Sequence, residues 1–271
     1  MPIAKLFIEG NLESEILNPI LQGTPVIQRG GSKNSLRPRA RAERNENKIN
    51  AGYLRDRDFD YDPPEDISKP TLDCEDAGTP FGWRWCRHEI ENYLVEPLVV
   101  NEAMSWPIDE IEQAIREVAR EIRIYEAARW SVGTVRRALP PHYEMKTRPD
   151  YLNEIALPEA MDREAVSEWA STTIEEHRER IDKATDADDF RRSFEAFVSH
   201  FNDAFIEDVS NVLLWFSGKD ILAGMADWLI TKTFPNPGSF RASLRDWIIE
   251  NPERATELLP EWNNLIVILR A

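Results

Sequence analysis

The sequence has little cysteine and histidine, which limits the metal and redox chemistry open to it. Its two cysteines, Cys74 and Cys86, cannot form a disulfide scaffold, and no spacing of cysteines with the four histidines resembles a zinc site. Long apolar runs are also missing, because no stretch of about 18 apolar residues occurs and residues 1–10 are a short apolar segment with one lysine. We therefore expect neither a membrane span nor a signal peptide, and a location in the reducing cytoplasm.

The sequence also lacks a P-loop for binding nucleoside triphosphates. The residues GGSK at 30–33 stand in the wrong order, and GKD at 218–220 lacks both the Ser/Thr and the upstream glycine. Any ATPase that works with this protein must therefore be supplied by another chain.

Positive charge is scarce overall but concentrated in one segment. The chain has 33 basic and 49 acidic residues, a formal net charge of −16, which argues against a general nucleic-acid-binding protein because like charges repel phosphate. Residues 29–48 nevertheless hold seven basic and two acidic residues, a local charge of +5. This segment is either a single place where an acidic protein accepts a polyanion or a solvated, mobile loop. Its basic residues are Arg29, Lys33, Arg37, Arg39, Arg41, Arg44 and Lys48.

The first hundred residues alternate short apolar segments with helical ones. Strands are predicted at residues 5–8, 25–28, 49–54 and 83–86, with a helix at 11–21 and a segment that is part helix and part loop at 32–47. The order strand, helix, strand, helix, strand is typical of a parallel α/β sheet. The proline-rich acidic stretch at 61–80 is predicted to be a loop.

From residue 105 onward the pattern is helical. Apolar residues recur three and four apart at 108, 111, 115, 118 and 122, and five phenylalanines between 190 and 205 form a stripe at helical spacing. That stripe indicates core packing rather than a cofactor site. We therefore predict a small α/β domain over residues 1–100 and a helical domain over residues 101–271.

Acidic residues stand directly after two of the predicted strands. Glu9 follows the first strand, and Asp56 and Asp58 follow the third. Ligands of open α/β sheets bind outside the carboxyl ends of the strands, so neighbouring first and third strands would bring these carboxylates together. Three carboxylates without histidine or thiolate favour Mg²⁺ or Mn²⁺. The competing interpretation of Asp56-Arg57-Asp58 is a polar turn with internal salt bridges. Asp60 is an extra carboxylate, interpreted as a solvated loop residue rather than as a further ligand.

Three segments together resemble a known family. LFIEG at residues 6–10 and DRDFD at 56–60 resemble the Toprim domain of topoisomerases, primases and OLD-type nucleases, which carries a glutamate after the first strand and D-x-D after the third. WCRHEIENYL at 85–94 resembles the R-x-E-I-E-N-Y-L segment of a Toprim-like subgroup that occurs beside ATPases in bacterial anti-phage systems, including the nuclease partner of the PARIS type. The resemblance covers residues 3–97, with a weaker match at SGKD, residues 217–220.

The resemblance implies roles for individual residues. Glu9 would be a metal ligand or general acid/base, and Asp56 and Asp58 would be the metal-binding pair. Glu91 would complete a second metal site, or else cap a helix or pair with Arg87, four residues earlier. Lys219 would neutralise charge on the transferring phosphate, or else be a solvated residue at the start of a helix. Only His88 among the four histidines lies near this predicted site.

The function implied is that of a Mg²⁺- or Mn²⁺-dependent nuclease acting on DNA, RNA or tRNA, in phage defence, under the control of an ATPase partner. The substrate backbone would be contacted by basic residues of the segment described above, namely Arg29, Lys33, Arg37, Arg39 and Arg41. The resemblance leaves room for a homo-oligomer and involves no membrane. The main alternative is a catalytically inactive Toprim-like adaptor that docks on a partner ATPase. A nucleotide phosphohydrolase is a more distant alternative.

Overall fold

The computed structural model describes residues 1–141 and 162–271, so His142 lies outside the described residues. The strands are β1 (Lys5–Ile8), β2 (Val26–Arg29), β3 (Ala51–Arg55), β4 (Thr71–Asp76) and β5 (Thr79–Arg84). The helices are α1 (Asn11–Leu21), α2 (Lys33–Glu46), α3 (Glu91–Leu94), α4 (Pro97–Met104), α5 (Ile108–Ala138), α6 (Arg163–Ala184), α7 (Ala187–His200), α8 (Asp203–Glu207), α9 (Val209–Trp215), α10 (Gly218–Gly224), α11 (Ala226–Thr231), α12 (Pro237–Glu250), α13 (Pro252–Leu258) and α14 (Pro260–Arg270).

The strands form a mostly parallel sheet in the order β2-β1-β3-β5-β4. β1 pairs in parallel with β2 and β3, and β3 pairs in parallel with β5, while β4 alone is antiparallel to its neighbour β5. The predicted α/β class, a parallel sheet flanked by helices and followed by a helical region, is confirmed. Because β1 and β3 are neighbours, the residues that follow them lie at the same edge of the sheet.

Helices α1 and α2 cover the sheet through short apolar faces. α1 buries Ile16, Leu17 and Ile20, which recur at helical spacing as the sequence predicts. α2 is one continuous helix where the sequence predicted part helix and part loop, and it buries only Leu36 and Ala40. Because only these two residues are buried, the apolar periodicity of α2 is weak. The rest of its surface carries the basic side chains.

The predicted loop at residues 61–80 is partly wrong. Residues 71–84 form the β4–β5 hairpin, whose two turn residues Ala77 and Gly78 both have positive φ. The strand expected at 83–86 accordingly begins earlier, at Thr79, and ends at Arg84. β4 is an edge strand with mostly exposed or half-buried residues, so its acidic sequence lacks the apolar pattern on which the prediction depended.

The chain divides into two compact units, one of residues 1–126 and 201–271 and the other of residues 127–200. This division differs from the predicted boundary near residue 100, because the first unit contains both the sheet and the C-terminal helices. In it, the Ile3 N–H donates to the Leu269 carbonyl (2.8 Å), and Trp85 of the sheet edge packs against Tyr93 and Trp262 with ring centroids 5.3 and 6.4 Å away.

The second unit contains α6, α7 and the end of α5, and its core is small. Trp130 is fully buried and packs against Phe197, with ring centroids 5.7 Å apart, whereas α6 and α7 bury none of their residues completely. The predicted phenylalanine stripe is interrupted, since α7 ends at residue 200 and Asn202 caps α8 by accepting from the Phe205 N–H (3.1 Å). Within the described ranges, no helix is long and apolar enough to cross a membrane.

Candidate metal centre

The predicted carboxylates at the ends of β1 and β3 are brought together. Glu9 follows β1, and its Oε1 accepts a hydrogen bond of 3.1 Å from the backbone N–H of Asp56, which follows β3. Burial raises the pKa of Glu9, and the nearby Asp58 charge adds to the rise while the Asp56 N–H opposes it. The side chain is therefore suited to hold a proton at a higher pH than an exposed glutamate does.

Glu13, a residue not predicted from the sequence, completes this end of the site. Its Oε2 accepts from the backbone N–H groups of Glu9 (3.1 Å) and Gly10 (3.2 Å), and its Oε1 accepts from Trp85 Nε1 (3.1 Å). Burial raises the pKa of Glu13 to about 7 against these hydrogen bonds. Glu13 thus fixes the backbone that carries Glu9 and adds a further acidic group behind it.

Asp56 is a buried carboxylate among other acidic residues. Burial raises its pKa well above the ordinary value, and the acidic neighbours Glu13, Asp58 and Glu9 raise it further. Its Oδ1 is shielded from solvent and has no hydrogen-bond partner among the residues that the structure describes. An orphaned carboxylate oxygen among other carboxylates is the environment that a bound cation relieves, so these residues fit a hard divalent metal ion.

Between the two aspartates, Arg57 serves as an anchor rather than as an ion-pair partner for them. It is fully buried, and its guanidinium donates to the backbone carbonyls of Cys86 (2.8 Å), Tyr61 (2.7 Å) and Leu214. Its burial lowers its pKa to about 10. The interpretation of residues 56–58 as a turn with internal salt bridges is therefore wrong, because the arginine points into the protein and binds carbonyls.

Asp58 is held toward the segment before α3. Its φ of 48° is left-handed, its N–H donates to the His88 carbonyl (2.9 Å), and its Oδ1 lies 4.0 Å from His88 Nδ1. Lys33 pairs with Asp58 and also with Asp60 Oδ2 at 2.5 Å. These aspartates raise the pKa of Lys33 although burial opposes them. Asp60, which Arg55 also contacts at 3.0 Å, is an ion-paired residue and not the solvated one expected.

Glu89 and Lys219 meet from distant parts of the sequence. Glu89 is buried, and its Oε1 accepts from Ser217 Oγ and from the Lys219 N–H, both at 2.8 Å, while the Lys219 ammonium pairs with its Oε2. The charges of Glu89 and Glu91 raise the pKa of Lys219 against the opposing effect of burial. Lys219 lies in the first turn of α10 with a side chain about half exposed, and its ammonium also contacts Glu89 and Glu91.

Glu91 lies at the periphery of the acidic group. Its carboxylate is buried and is 3.2 Å from both Lys219 Nζ and Arg241 Nη1. The alternative pairing with Arg87 is wrong, since Arg87 pairs with Glu96. The donor atoms that converge in the described part of the chain belong instead to Asp58, His88 and Glu89, all within 4.8 Å of one another.

The remaining predicted basic residues lie on α2 and at the end of β2. Arg29 is exposed and donates to Asn11, Arg41 pairs with Asp76 (2.8 Å), and Arg37 and Arg39 are exposed. The predicted substrate-binding set is therefore divided, because Lys33 lies inside the acidic site while the other members face outward.

The chain matches no protein-family model and no curated protein.

Proposed function

We propose that this chain is a metal-dependent nuclease of the Toprim type, which hydrolyses phosphodiesters of DNA, RNA or tRNA. The observation that supports it best is the orphaned Asp56 Oδ1 beside Glu9 at the carboxyl ends of the neighbouring parallel strands β1 and β3. As part of the same proposal, the protein works in the cytoplasm as a phage-defence effector controlled by an ATPase partner.

Glu9, Asp56 and Asp58 would hold Mg²⁺ or Mn²⁺. When bound, such a cation supplies a Lewis acid for phosphate oxygens and makes water a better nucleophile at neutral pH. Glu13 positions the backbone of Glu9 by accepting from two N–H groups, and Arg57 positions both aspartates through its three carbonyl contacts. The ligands are thus held by buried neighbours before the cation arrives.

Two side chains of the site are suited to proton and charge transfer. Burial raises the pKa of Glu9, so its carboxylate is a stronger base than that of an exposed glutamate and can accept a proton from an attacking water. Lys219 has a side chain about half exposed, and its ammonium can contact a non-bridging oxygen of the scissile phosphate. Both roles place a group of this chain beside the reacting phosphate.

The outward-facing arginines would bind the substrate backbone. Arg37 and Arg39 are exposed on α2, and Arg29 and Arg41 have solvent-accessible guanidinium groups. On a chain of net charge −16, these arginines offer a polyanion one basic segment, and such binding weakens steeply as salt rises.

The inactive adaptor is the second candidate, and one observation favours it. Lys33 and Lys219 already pair with Asp58 and Glu89, so the acidic group is partly neutralised by the chain itself. In an adaptor these ion pairs would be permanent and the carboxylates structural. The two candidates differ in whether a divalent metal ion produces hydrolysis.

The test is cleavage of plasmid, single-stranded DNA and total tRNA with Mg²⁺, Mn²⁺ or EDTA, using the wild type beside Glu9→Gln and Asp56→Asn. We expect metal-dependent cleavage that both variants lose while they remain folded. Glu15→Gln, a change of an exposed glutamate on the same helix as Glu13, is the matched control and should cleave normally. Cleavage retained in both site variants would overturn the assignment, and cleavage by none of the proteins would favour the adaptor.

A further inference from the structure

The convergent group formed by Asp58, His88 and Glu89 has a donor set different from that of the three predicted carboxylates. Its donor atoms lie within 4.8 Å of one another and include an imidazole nitrogen. A cation bonded at about 2.1 Å holds adjacent ligands about 3 Å apart and opposite ligands about 4.2 Å apart, so the three donor atoms must move toward one another to share one cation. Asp58 Oδ1 and His88 Nδ1, 4.0 Å apart, would have to approach by about 1 Å as adjacent ligands.

The imidazole of His88 is held in place by its surroundings. It is 1% exposed, the ring of Phe59 packs edge-on against it at a centroid distance of 4.2 Å, and the His88 carbonyl accepts from the Asp58 N–H. Glu89 is equally fixed, because Ser217 and the Lys219 N–H both bind its Oε1. His88 and Glu89, which supply two of the three donor atoms, are therefore held in position without a bound cation.

A second observation points to a cation at this place. Asp56 Oδ1 has no hydrogen-bond partner among the described residues, and after burial, the largest cause, the charges of neighbouring acidic residues that include Asp58 and Glu89 also raise the pKa of Asp56. Ammonium groups already occupy the outer sides of the group, Lys33 on Asp58 and Lys219 on Glu89. Lys219 is about half exposed on a flexible stem, so its head group can withdraw into solvent when another cation enters.

We propose that Asp58, His88 and Glu89 form a second cation position of this site, and that it takes a transition-metal dication such as Mn²⁺ in preference to Mg²⁺. The preference follows from the donor set, because Mg²⁺ is bound by oxygen ligands whereas imidazole suits transition metals and carboxylates also suit Mn²⁺. The inference rests on the proposed function only because both concern the same metal site. It can be tested without measuring cleavage. Asp58 belongs to both sets of ligands.

The test is pulsed electron paramagnetic resonance of the full chain, purified without a histidine tag and titrated with Mn²⁺ beyond two equivalents. We expect modulation from a directly coordinated ¹⁴N nucleus in the wild type, and its loss in His88→Gln. The matched control His200→Gln, a change of an exposed histidine at the end of α7, should keep the modulation. Calorimetric titration should show the ratio of Mn²⁺ to Mg²⁺ affinity falling about tenfold in His88→Gln.

Two further variants keep the inference falsifiable. Lys219→Met retains all three ligands and removes the competing ammonium, so it should bind Mn²⁺ about tenfold more tightly even if His88→Gln does not fold. Glu9→Gln should lose cleavage and keep the ¹⁴N modulation. Bound Mn²⁺ without ¹⁴N modulation in the wild type, or modulation that survives in His88→Gln, overturns this inference alone. A wild type that binds no Mn²⁺ overturns it together with the metal-dependent function.

Discussion

The buried carboxylate of Glu261 provides a test of how the C-terminal helix is attached to the sheet. Glu261 lies in the first turn of α14, is 4% exposed, and accepts hydrogen bonds from the Cys86 N–H (2.8 Å) and from the Tyr93 hydroxyl. The rings of Tyr93 and Trp262 lie beside it, 5.6 Å apart. Burial raises the pKa of Glu261 from 4.5 to about 7, although the two hydrogen bonds oppose the rise.

A raised pKa in the folded state means that folding favours the protonated carboxyl. This contribution to stability is fully present below pH 4.5 and is lost as the pH rises through 7. One pKa unit corresponds to about 1.4 kcal/mol, so ionising Glu261 costs the folded state about 3 kcal/mol above pH 8. Glu261→Gln removes this cost, because a glutamine resembles the protonated acid and its oxygen can still accept from the Cys86 N–H.

We therefore expect Glu261→Gln to be about as stable as the wild type at pH 4.5 and about 3 kcal/mol more stable at pH 8. The assay is urea unfolding at four pH values between 4.5 and 8, followed by tryptophan fluorescence, to which Trp85 and Trp262 near the mutation contribute. Glu257→Gln, at an exposed site, is the control and should change the free energy of unfolding by less than about 0.5 kcal/mol. A difference that does not vary with pH, or a variant less stable than the wild type at pH 8, would refute the reasoning.

Two further predictions concern the residues that hold the site together. Arg57→Met removes the donor of one buried and two partly buried carbonyls, so urea unfolding should show a loss of at least about 3 kcal/mol, whereas Arg37→Met, at an exposed site, should change stability by less than about 0.5 kcal/mol. Equal effects of the two substitutions would contradict the buried anchor. Gly218→Ala would place a Cβ 2.4 Å from the Asn92 backbone nitrogen, so it should destabilise the protein by about 1–3 kcal/mol and weaken Mn²⁺ binding, as thermal unfolding and calorimetry can check. Normal values of both quantities would show that this close contact is unimportant.

Local pattern was enough to predict the central part of the fold. β1, β3 and α1 each carry an apolar period within a short segment, and the acidic residues that follow β1 and β3 were predicted to meet for that reason. β4 could not be found in this way, because an edge strand with a largely exposed face needs no apolar period. The bounds predicted for its hairpin partner β5 were wrong for the same reason, since the proline-rich composition before Thr79 indicates a loop.

Glu13 and Glu89 were not predicted from the sequence, and only Glu13 has a local sequence signal that could have revealed its role. Glu13 stands three residues after Gly10, the spacing of a capping box, so its contact with the start of α1 has a local signal. Glu89 has no such local signal. The motif contains two glutamates, Glu89 and Glu91, two residues apart, and the sequence alone does not distinguish them. Long-range contacts distinguish Glu89, and Asn92 joins the two segments involved, because its side-chain oxygen accepts from the N–H groups of both Glu89 and Gly218.

Counting charges along the sequence also led to a wrong prediction for the surroundings of Lys33. Lys33 belongs to the basic segment by sequence and was grouped with the arginines predicted to bind substrate. Its partners Asp58 and Asp60 lie 25 and 27 residues further along the chain, and only the pairing of β1 with β3 brings them near the start of α2. A local count of charge cannot see such a partner, so it overstates the positive charge that this segment offers to a substrate.

The site is built jointly by the sheet edge and by residues 214–219, which run from the end of α9 to the start of α10. The Leu214 carbonyl binds the buried Arg57, the Phe216 carbonyl accepts from the Asn92 side chain (2.8 Å), and Ser217 and Lys219 bind Glu89. Residues 1–100 alone would therefore leave the arginine short of an acceptor and the glutamate without its donors, each a cost of about 1–3 kcal/mol for a buried polar group. Because both aspartates and Glu89 depend on these contacts, any displacement of the segment from 214 to 219 changes the acidic group directly, and this part of the C-terminal region helps to position these carboxylates.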